Sequence, residues 1–204
     1  MIFRVFYLND LGESNGSAAR EAAAGQFGII NGMSGNLTGN PPIVSLDRLT
    51  PGDIPSLVEI SRESGSARWS QAMFERELDL PFSVCLVARH TSGGQARHGG
   101  PAGGGLAGFG VEWCVADAAQ VVELAVRPES RGMGVGGELL RGLESAARDR
   151  GMRAMELEVR EDNFPALRLY RRAGFRTVGR RAGFYSGPAG DAVLMEREIC
   201  AGPA

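Results

Sequence analysis

The sequence predicts an α/β protein of the α+β kind, in which helices flank a central, mixed and mostly antiparallel sheet. Three observations support this fold class. Residues 82–126 hold three β-rich runs in close succession, which is typical of an antiparallel meander. The apolar spacing then changes to a helical period over residues 137–151, and strand-like and helical runs alternate after it. The predicted order is β-α-α-β-β-β-α-β-α-β-β.

One predicted strand and two predicted helices precede the meander. The strand is IVSL, which begins at Ile43. Thr50 followed by Pro51 fits the N-cap and first turn of a helix, and apolar residues recur behind them at helical spacing. Ser70 fits the N-cap of the second helix.

The meander is formed by FSVCLVAR, GLAGFGVEW and AQVVELAV, which occupy residues 82–89, 105–113 and 119–126. These runs are rich in β-branched and aromatic residues, as strands are. A glycine-rich loop over residues 92–105 separates the first two runs. Alternation predicts that the third run places three apolar side chains on one face of the sheet: Val122, Leu124 and Val126.

A helix and a strand follow the meander. GELLRGLESAARDRG repeats its apolar residues at helical spacing and reaches Gly151, a residue that commonly follows the end of a helix. AMELEV is a strand whose apolar residues point one way, so Glu156 and Glu158 point the other way.

The last helix and the last two strands complete the fold. The helix begins near Pro165, with Asp162 or Asn163 as its cap, and ends at Gly174. The strands lie near RTVGRRA and AVLMERE, and GFYSGPAGD is predicted to be the loop that joins them.

Length and composition indicate one domain with flexible additions. A chain of 204 residues with 43% apolar residues can bury one core. Glycines and small polar residues without apolar periodicity predict that residues 1–40 form a disordered extension and that the loop over residues 92–105 is flexible. Residues 41–200 are then the folded domain.

Charge and cysteine content exclude several classes of protein. With 22 basic and 24 acidic residues the formal net charge is −2, so we expect no nucleic-acid partner. No run reaches the roughly 18 apolar residues of a membrane span, and no secretory leader is recognised, so we expect no membrane association. Cys85, Cys114 and Cys200 lack metal-ligand spacing, which predicts no metal site and a reducing, cytoplasmic location.

The segment SRGMGVGGELL, residues 130–140, fits two cofactor loops. Gly132, Gly134 and Gly137 have the G-x-G-x-x-G spacing of a dinucleotide-binding turn. Arg131, Gly134 and Gly136 instead have R-x-x-G-x-G spacing, in which backbone N–H groups at a helix start receive a pyrophosphate.

The surroundings of this loop argue against a dinucleotide. In a dinucleotide fold the strand runs almost directly into the first glycine, whereas residues 127–131 intervene here. An antiparallel meander precedes the loop, and too few residues follow it for a second nucleotide-binding half. Glu156 lies at a suitable distance to hold a ribose, but this single feature does not outweigh the topology.

The segment VVELAVRPESRGMGVGGELL resembles the coenzyme A motif of the GNAT acetyltransferases. LEVREDNFPALRLYRRAGF and GRRAGFYSGPAGDAVLME resemble, more narrowly, the ribosomal-protein-alanine N-acetyltransferases of the RimI type. The likeness covers about residues 43–199. The sequence departs from the family in its longer loop over residues 92–105, in Glu123 at a position that is more often neutral, and in Phe184 where a tyrosine is common.

The resemblance implies the GNAT acyl-CoA N-acyltransferase fold and acetyl-CoA as co-substrate. It implies that backbone groups of Leu124 and Val126 meet the pantetheine arm, and that Asn163 either contacts this arm or only caps its helix. The remaining cofactor contacts implied are those of the loop: Arg131, Gly132, Met133, Gly134, Val135, Gly136 and Gly137.

The resemblance also implies the catalytic and acceptor residues. From spacing alone Glu158 and Glu156 are equal candidates for the general base, and the family favours Glu158. Tyr170 is implied as the acid that protonates the leaving thiolate, although a tyrosine on an apolar helix face is otherwise a core residue. Tyr185 and Trp69 are candidates for acceptor binding, although the sequence favours core packing for Trp69.

The expected function is N-alpha-acetylation of a protein N-terminus, with the N-terminal alanine of small-subunit ribosomal protein eighteen as the first candidate. A GNAT enzyme for another amine, such as a lysine side chain, a polyamine or an aminoglycoside, is the alternative. A non-catalytic acyl-CoA-binding module is a third possibility, which the retention of both Glu158 and Tyr170 disfavours.

Overall fold

A computed structural model describes residues 43–65, 69–91, 105–186 and 189–199. The predicted extension over residues 1–40 and nearly all of the loop over residues 92–105 lie outside these ranges, so both stay predictions. The described elements follow the predicted order. The strands are β1 Val44–Arg48, β2 Ser83–His90, β3 Leu106–Val115, β4 Ala118–Val126, β5 Ala154–Arg160, β6 Arg176–Ser186 and β7 Ala189–Glu198; the helices are α1 Ile54–Glu63, α2 Gln71–Asp79, α3 Val135–Asp149 and α4 Phe164–Arg172.

The strands form one seven-stranded sheet with the order β1-β2-β3-β4-β5-β7-β6. Neighbouring strands are antiparallel except β4 and β5, which are parallel. The parallel pair requires a crossover connection, and α3 provides it. The mixed, mostly antiparallel sheet that the sequence predicts is therefore present.

Two apolar clusters cover the two faces of the sheet. One joins α3 and α4 to the sheet and includes Leu139, Leu143, Met155 and Tyr170. The other joins α1 and α2 to the opposite face and includes Phe74. No helix in the described ranges combines the length and the apolar character of a membrane span.

The predicted caps form, with one difference at α1. Pro51–Asp53 is a 3₁₀ turn rather than the first turn of the α-helix. The Asp53 carboxylate accepts hydrogen bonds from the Thr50 hydroxyl at 2.7 Å and from the Thr50 backbone N–H at 3.0 Å. The Ser70 hydroxyl accepts from the Met73 N–H at 3.3 Å, so Ser70 caps α2 as predicted.

A β-bulge interrupts β4 and corrects the predicted facing of its residues. Val111 pairs with Glu123 and Glu112 with Val121, so Val122 is the extra residue. Val122 packs against the α1–α2 cluster, whereas Leu124 and Val126 pack against the α3–α4 cluster. The prediction that these three side chains share a face is wrong, because an inserted residue shifts the alternation.

The last hairpin is longer than predicted. Most of the expected loop GFYSGPAGD belongs to β6 and β7, and Tyr185 pairs with Gly190. The β6–β7 register shifts at a bulge between Arg181 and Tyr185, and pairing resumes beyond it. At the bulge Gly183 has a φ of 62°, and its N–H donates to the Asp191 carboxylate at 2.9 Å.

Candidate active site

The parallel strands β4 and β5 part in the middle of the sheet. Their ladder runs from the pair Ala118 and Ala154 to the pair Val121 and Leu157, and it ends there. α3 follows the end of β4 and α4 follows the end of β5. A gap at the carboxyl ends of parallel strands, where helices begin, is a common place for a ligand in α/β sheets.

The edge of β4 that faces this gap carries the backbone groups of Leu124 and Val126. The Arg127 N–H donates to the Ala107 carbonyl of β3 at 2.8 Å. Because antiparallel strands alternate the direction of their backbone groups, Leu124 and Val126 point towards β5, beyond the end of its ladder. This edge is suited to an extended chain that bears amide groups.

The loop between β4 and α3 contains two left-handed glycines. Gly132 has a φ of 76° and Gly134 a φ of 87°, and α3 begins at Val135. A Cβ added to either glycine would meet no heavy atom within 4 Å. The predicted need for glycine at position 134 therefore comes from backbone conformation and not from crowding within the protein.

The start of α3 presents backbone donors to this open space, since the first N–H groups of a helix have no partner within it. The Gly137 N–H is used internally, because it donates to the Gly134 carbonyl at 2.9 Å. A Cβ at Gly136 would lie 3.3 Å from the Leu169 side chain, so glycine there lets α3 approach α4. Such a helix start binds phosphate groups.

The loop is held by side chains on both sides. Arg131 is exposed, and its Nε donates to the Val126 carbonyl at 3.2 Å. Ser130 is buried, and its hydroxyl lies 3.1 Å from Nε2 of His90. Met133 packs against the α3–α4 cluster. These contacts fix the loop before any ligand binds.

Glu158 is the first residue of β5 beyond the last β4–β5 pair. Its carboxylate forms an ion pair with the Arg181 guanidinium at 2.7 Å, and its side chain is 14% exposed. Burial raises the pKa of Glu158, and the positive charge of Arg181 opposes this shift. A carboxylate with a raised pKa is better suited to accept a proton near neutral pH.

Glu156, the other candidate for the base, lies at the paired end of the strand. It pairs with Gln120 of β4 and with Glu196 of β7, and its residue is exposed. Partial desolvation of its carboxyl, followed by the neighbouring charges of Glu196 and Asp117, raises the pKa of Glu156 even though the residue as a whole is exposed. Its position inside the ladder keeps it away from the gap.

Tyr170 lies on α4 and is almost wholly buried. Its ring packs edge-on against Phe175 with centroids 5.7 Å apart. Burial raises the pKa of Tyr170, and the negative charges of Glu123 and Tyr185 raise it further. The ring is thus a core residue, and the hydroxyl stays protonated.

Trp69 and Tyr185, the two candidates for acceptor binding, lie on different elements. The Trp69 ring packs against Phe74 at 5.1 Å, and its indole N–H donates to the Glu123 carboxylate at 3.2 Å. The Arg160 guanidinium lies 4.8 Å from the centre of the Tyr185 ring. Both aromatic residues therefore have a polar partner as well as ring contacts.

Asn163 caps α4. Its side-chain oxygen accepts from the Ala166 N–H at 3.2 Å, which settles the alternative between Asp162 and Asn163 in favour of Asn163. Its predicted contact with the pantetheine arm stays a prediction.

Two residues of the site were assigned no role from the sequence. Arg181 reaches Glu158 although β7 lies between their strands. Glu123 accepts from Trp69, which is 54 positions away, and its charge acts on Tyr170. The available signal was the acidic side chain of Glu123 at a position where the family is more often neutral.

The described residues contain no cluster of three or more histidine, cysteine, aspartate or glutamate side chains that could hold a metal ion. Cys85 is buried and Cys114 is partly buried, and both are free thiols.

Comparison with known proteins identifies a family. The profile of the acetyltransferase (GNAT) family matches residues 54–175. A protein of Bacillus subtilis, provisionally named a ribosomal protein bS18-alanine N-acetyltransferase, is 32% identical over 144 residues, which cover 70% of this chain and 87% of the relative. The N-alpha-acetyltransferase RimI of Mycobacterium tuberculosis is 34% identical over 168 residues, which cover 79% of this chain and 97% of the relative.

A solved structure shows the same fold. The crystal structure of the ribosomal-protein-S18-alanine N-acetyltransferase from Escherichia coli superposes with a TM-score of 0.65 at 25% identity. The match covers 78% of this chain and 96% of that one.

Proposed function

The chain belongs to the acetyltransferase (GNAT) family, and on that premise we propose that it acetylates the N-terminal amine of a protein. The chain is a GNAT N-acetyltransferase. The acceptor that we propose is the N-terminal alanine of ribosomal protein bS18, because relatives from Bacillus subtilis and Escherichia coli are named for this reaction. The observation that carries the proposal is the gap between β4 and β5. The half-buried Glu158 lies at this gap, directly after the last pair of the β4–β5 ladder.

The residues around the gap fit acetyl-CoA. The open space over Gly132 and Gly134, at the start of α3, suits a pyrophosphate. The backbone of Leu124 and Val126 suits the amides of the pantetheine arm, which would lie as an extra strand along β4. Arg131 adds a positive charge beside the loop. When bound, acetyl-CoA supplies an activated acetyl group on a thioester.

Glu158 is the general base in this proposal. An N-terminal amine has a pKa of about 8 and must lose its proton before it can attack a carbonyl carbon. The Glu158 carboxylate accepts that proton directly or through one water molecule. Its partly buried position and raised pKa suit this role.

Tyr170 is the general acid. The departing thiolate needs a proton, and the Tyr170 hydroxyl, which is protonated at neutral pH, provides one. Burial of the ring in the α3–α4 cluster fixes the direction of the hydroxyl. Base and acid are thus provided by β5 and by the helix that follows it.

Tyr185 and Trp69 approach the acceptor from β6 and from the segment before α2. Their rings can exclude water from a bound peptide, as tyrosine and tryptophan commonly do at interfaces, while the Trp69 N–H stays bonded to Glu123.

The experiment is acetyl transfer to a peptide panel, read by mass spectrometry. One peptide carries the N-terminal sequence of bS18, others differ only at the first residue, and one has a blocked N-terminus and a lysine. We expect label on the free N-terminus and highest activity with alanine. Label on the lysine alone would favour an enzyme for another amine. Acetyl-CoA binding without transfer to any amine would favour a binding module.

A further inference from the structure

Arg160 is the last residue of β5 and lies beyond the end of the β4–β5 ladder. Leu157 and Val159 pack in the α3–α4 cluster. Alternation therefore places Glu158 and Arg160 together on the opposite face of the sheet, which carries the α1–α2 cluster. Arg160 thus borders the gap on the same side as the proposed base.

The Arg160 guanidinium lies over the ring of Tyr185. Its central carbon is 4.8 Å from the ring centre, a distance at which a cation is attracted to an aromatic face. Its Nε donates to the Asp162 carboxylate at 3.0 Å, and a terminal nitrogen donates to the same group at 3.2 Å. These two bonds fix the orientation of the guanidinium beside the ring.

Gly190 leaves the space that this guanidinium occupies. Gly190 pairs with Tyr185, and it lies two residues before Ala192, the partner of Arg160 in the β5–β7 ladder. A Cβ on Gly190 would lie 2.6 Å from a terminal nitrogen of Arg160 and 3.2 Å from its central carbon. The first distance is too short for a real Cβ contact, so an alanine at this position would displace the guanidinium.

Measured contacts also connect the Tyr185 ring to the proposed base. The rings of Tyr185 and Phe184 are perpendicular, with centroids 5.0 Å apart. The Arg181 guanidinium lies 5.3 Å from the centre of the Phe184 ring and pairs with the Glu158 carboxylate at 2.7 Å. Two arginines, Arg160 and Arg181, therefore contact the aromatic pair of β6 on the side of the sheet where the base lies.

We propose that Arg160 is a positioning residue that holds the Tyr185 ring where the acceptor peptide binds. This inference rests on the proposed function, because it needs Tyr185 to contact the acceptor. The part of the acceptor that meets the ring is the extended peptide chain next to the N-terminal amine. Arg160 acts through Tyr185 on acceptor binding, and it takes no part in proton transfer.

Arg160→Ala should raise the KM of the acceptor peptide by about 3- to 30-fold, the range that corresponds to a cation–aromatic contact. We expect kcat to stay within about threefold, because base and acid are unchanged. Arg160→Lys keeps a cation and should recover part of the loss. Arg176→Ala is the matched control: Arg176 begins β6 and pairs with Glu198 at 3.2 Å, so its loss should leave KM unchanged.

Gly190→Ala tests the same contact while Arg160 stays in place. The added Cβ should displace the guanidinium, so KM should rise as it does in Arg160→Ala. The double variant should show no further increase, because both changes remove one contact. Gly179→Ala is the matched control, since a Cβ there would meet only the Leu194 side chain, at 3.9 Å, and KM should stay as in wild type.

Tyr185→Leu shows whether Arg160 acts through the ring. We expect KM to rise in Tyr185→Leu, and Arg160→Ala to add no further increase in that background. An unchanged KM in Arg160→Ala or in Gly190→Ala would overturn the inference, as would additive increases from Arg160→Ala and Tyr185→Leu. If the peptide panel identifies another amine, the same variants are measured with that amine. Failure of the proposed acceptor appears with wild type on the panel, whereas failure of this inference appears in the variants.

Discussion

At the scale of single residues, the ion pair between Arg181 and Glu158 sets the state of the proposed base. Burial raises the pKa of Glu158, and Arg181, at 2.7 Å, opposes this shift by favouring the charged form. Arg181 also lies 5.3 Å from the centre of the Phe184 ring. The cation thereby links the base to the aromatic pair of β6, Phe184 and Tyr185.

Arg181→Ala should shift the pH dependence of kcat. Without the cation only burial acts on Glu158, so its pKa rises further and more of it is protonated at neutral pH. A protonated carboxyl cannot accept a proton, so the acidic limb of the profile should move to higher pH. The measurement is kcat against pH at saturating acceptor.

Arg180→Ala is the matched control for this variant. Arg180 is the preceding residue of β6, and it pairs with the exposed Glu161 at 3.0 Å. Arg180→Ala should leave the acidic limb of the kcat profile at the same pH as in wild type. An unshifted limb in Arg181→Ala would show that the pair does not set the pKa of the base.

The sequence identifies candidate side chains better than it identifies their partners. The sequence predicts Glu158 on the face of β5 away from the apolar residues. Buried and more exposed residues alternate along β5 as this prediction requires. Its pair with Arg181 depends on β7 lying between β5 and β6, a strand order that no local pattern specifies. The bond between Trp69 and Glu123 has the same origin, since it joins distant segments through tertiary packing.

At the scale of elements, the turn before α3 is specified by backbone conformation. Gly134 is the N-cap of α3, and its φ of 87° is a value that residues with a Cβ adopt only at a cost of about 1–2 kcal/mol. The glycine thus directs the first N–H groups of α3 towards the proposed pyrophosphate.

Gly134→Ala should weaken acetyl-CoA binding by about tenfold, because the strained turn relaxes and moves these donors. Calorimetry measures the affinity. Gly151→Ala is the control: Gly151, at the other end of α3, has a φ of 73° and equally open surroundings. Both variants should lose stability, but only the first should lose affinity. Equal acetyl-CoA affinities in Gly134→Ala and wild type would show that the loop does not bind the cofactor.

Element boundaries were predictable where local chemistry sets them. Ser70 and Asn163 cap helices, and the strand β5 follows its alternation. The bulge at Val122 and the long hairpin of β6 and β7 were not predicted, because each depends on register with a neighbouring strand. Of these two features, the bulge has the greater effect on the candidate site, because Glu123 directly follows it.

At the scale of the whole molecule, one buried carboxyl should make stability depend on pH. Glu112 lies on β3 and is fully buried, and neither of its carboxylate oxygens has a hydrogen-bond partner among the described residues. Burial raises the pKa of Glu112 from 4.5 to about 8, although Arg150 and Arg48 attract the charged form. The folded protein therefore holds this proton more tightly than the unfolded chain does.

Glu112→Gln should change the pH dependence of the free energy of unfolding. Between pH 4.5 and about 8 only the folded state of wild type keeps the proton, so stability falls as pH rises through this window. The amide cannot ionise, so the variant should gain a few kcal/mol relative to wild type from pH 5 to pH 9. Urea unfolding at several pH values measures this. A constant difference between the two proteins would contradict it.

The most direct test of acetyl transfer in the gap between β4 and β5 is the turnover of Glu158→Gln from neutral to alkaline pH. We predict a loss of about 10²- to 10⁴-fold at neutral pH with unchanged acetyl-CoA affinity, and a smaller loss at alkaline pH, where the amine deprotonates unaided. Glu156→Gln should match wild type, and Tyr170→Phe should lose rate without losing stability. Wild-type turnover in both Glu158→Gln and Tyr170→Phe at every pH would contradict the proposed mechanism.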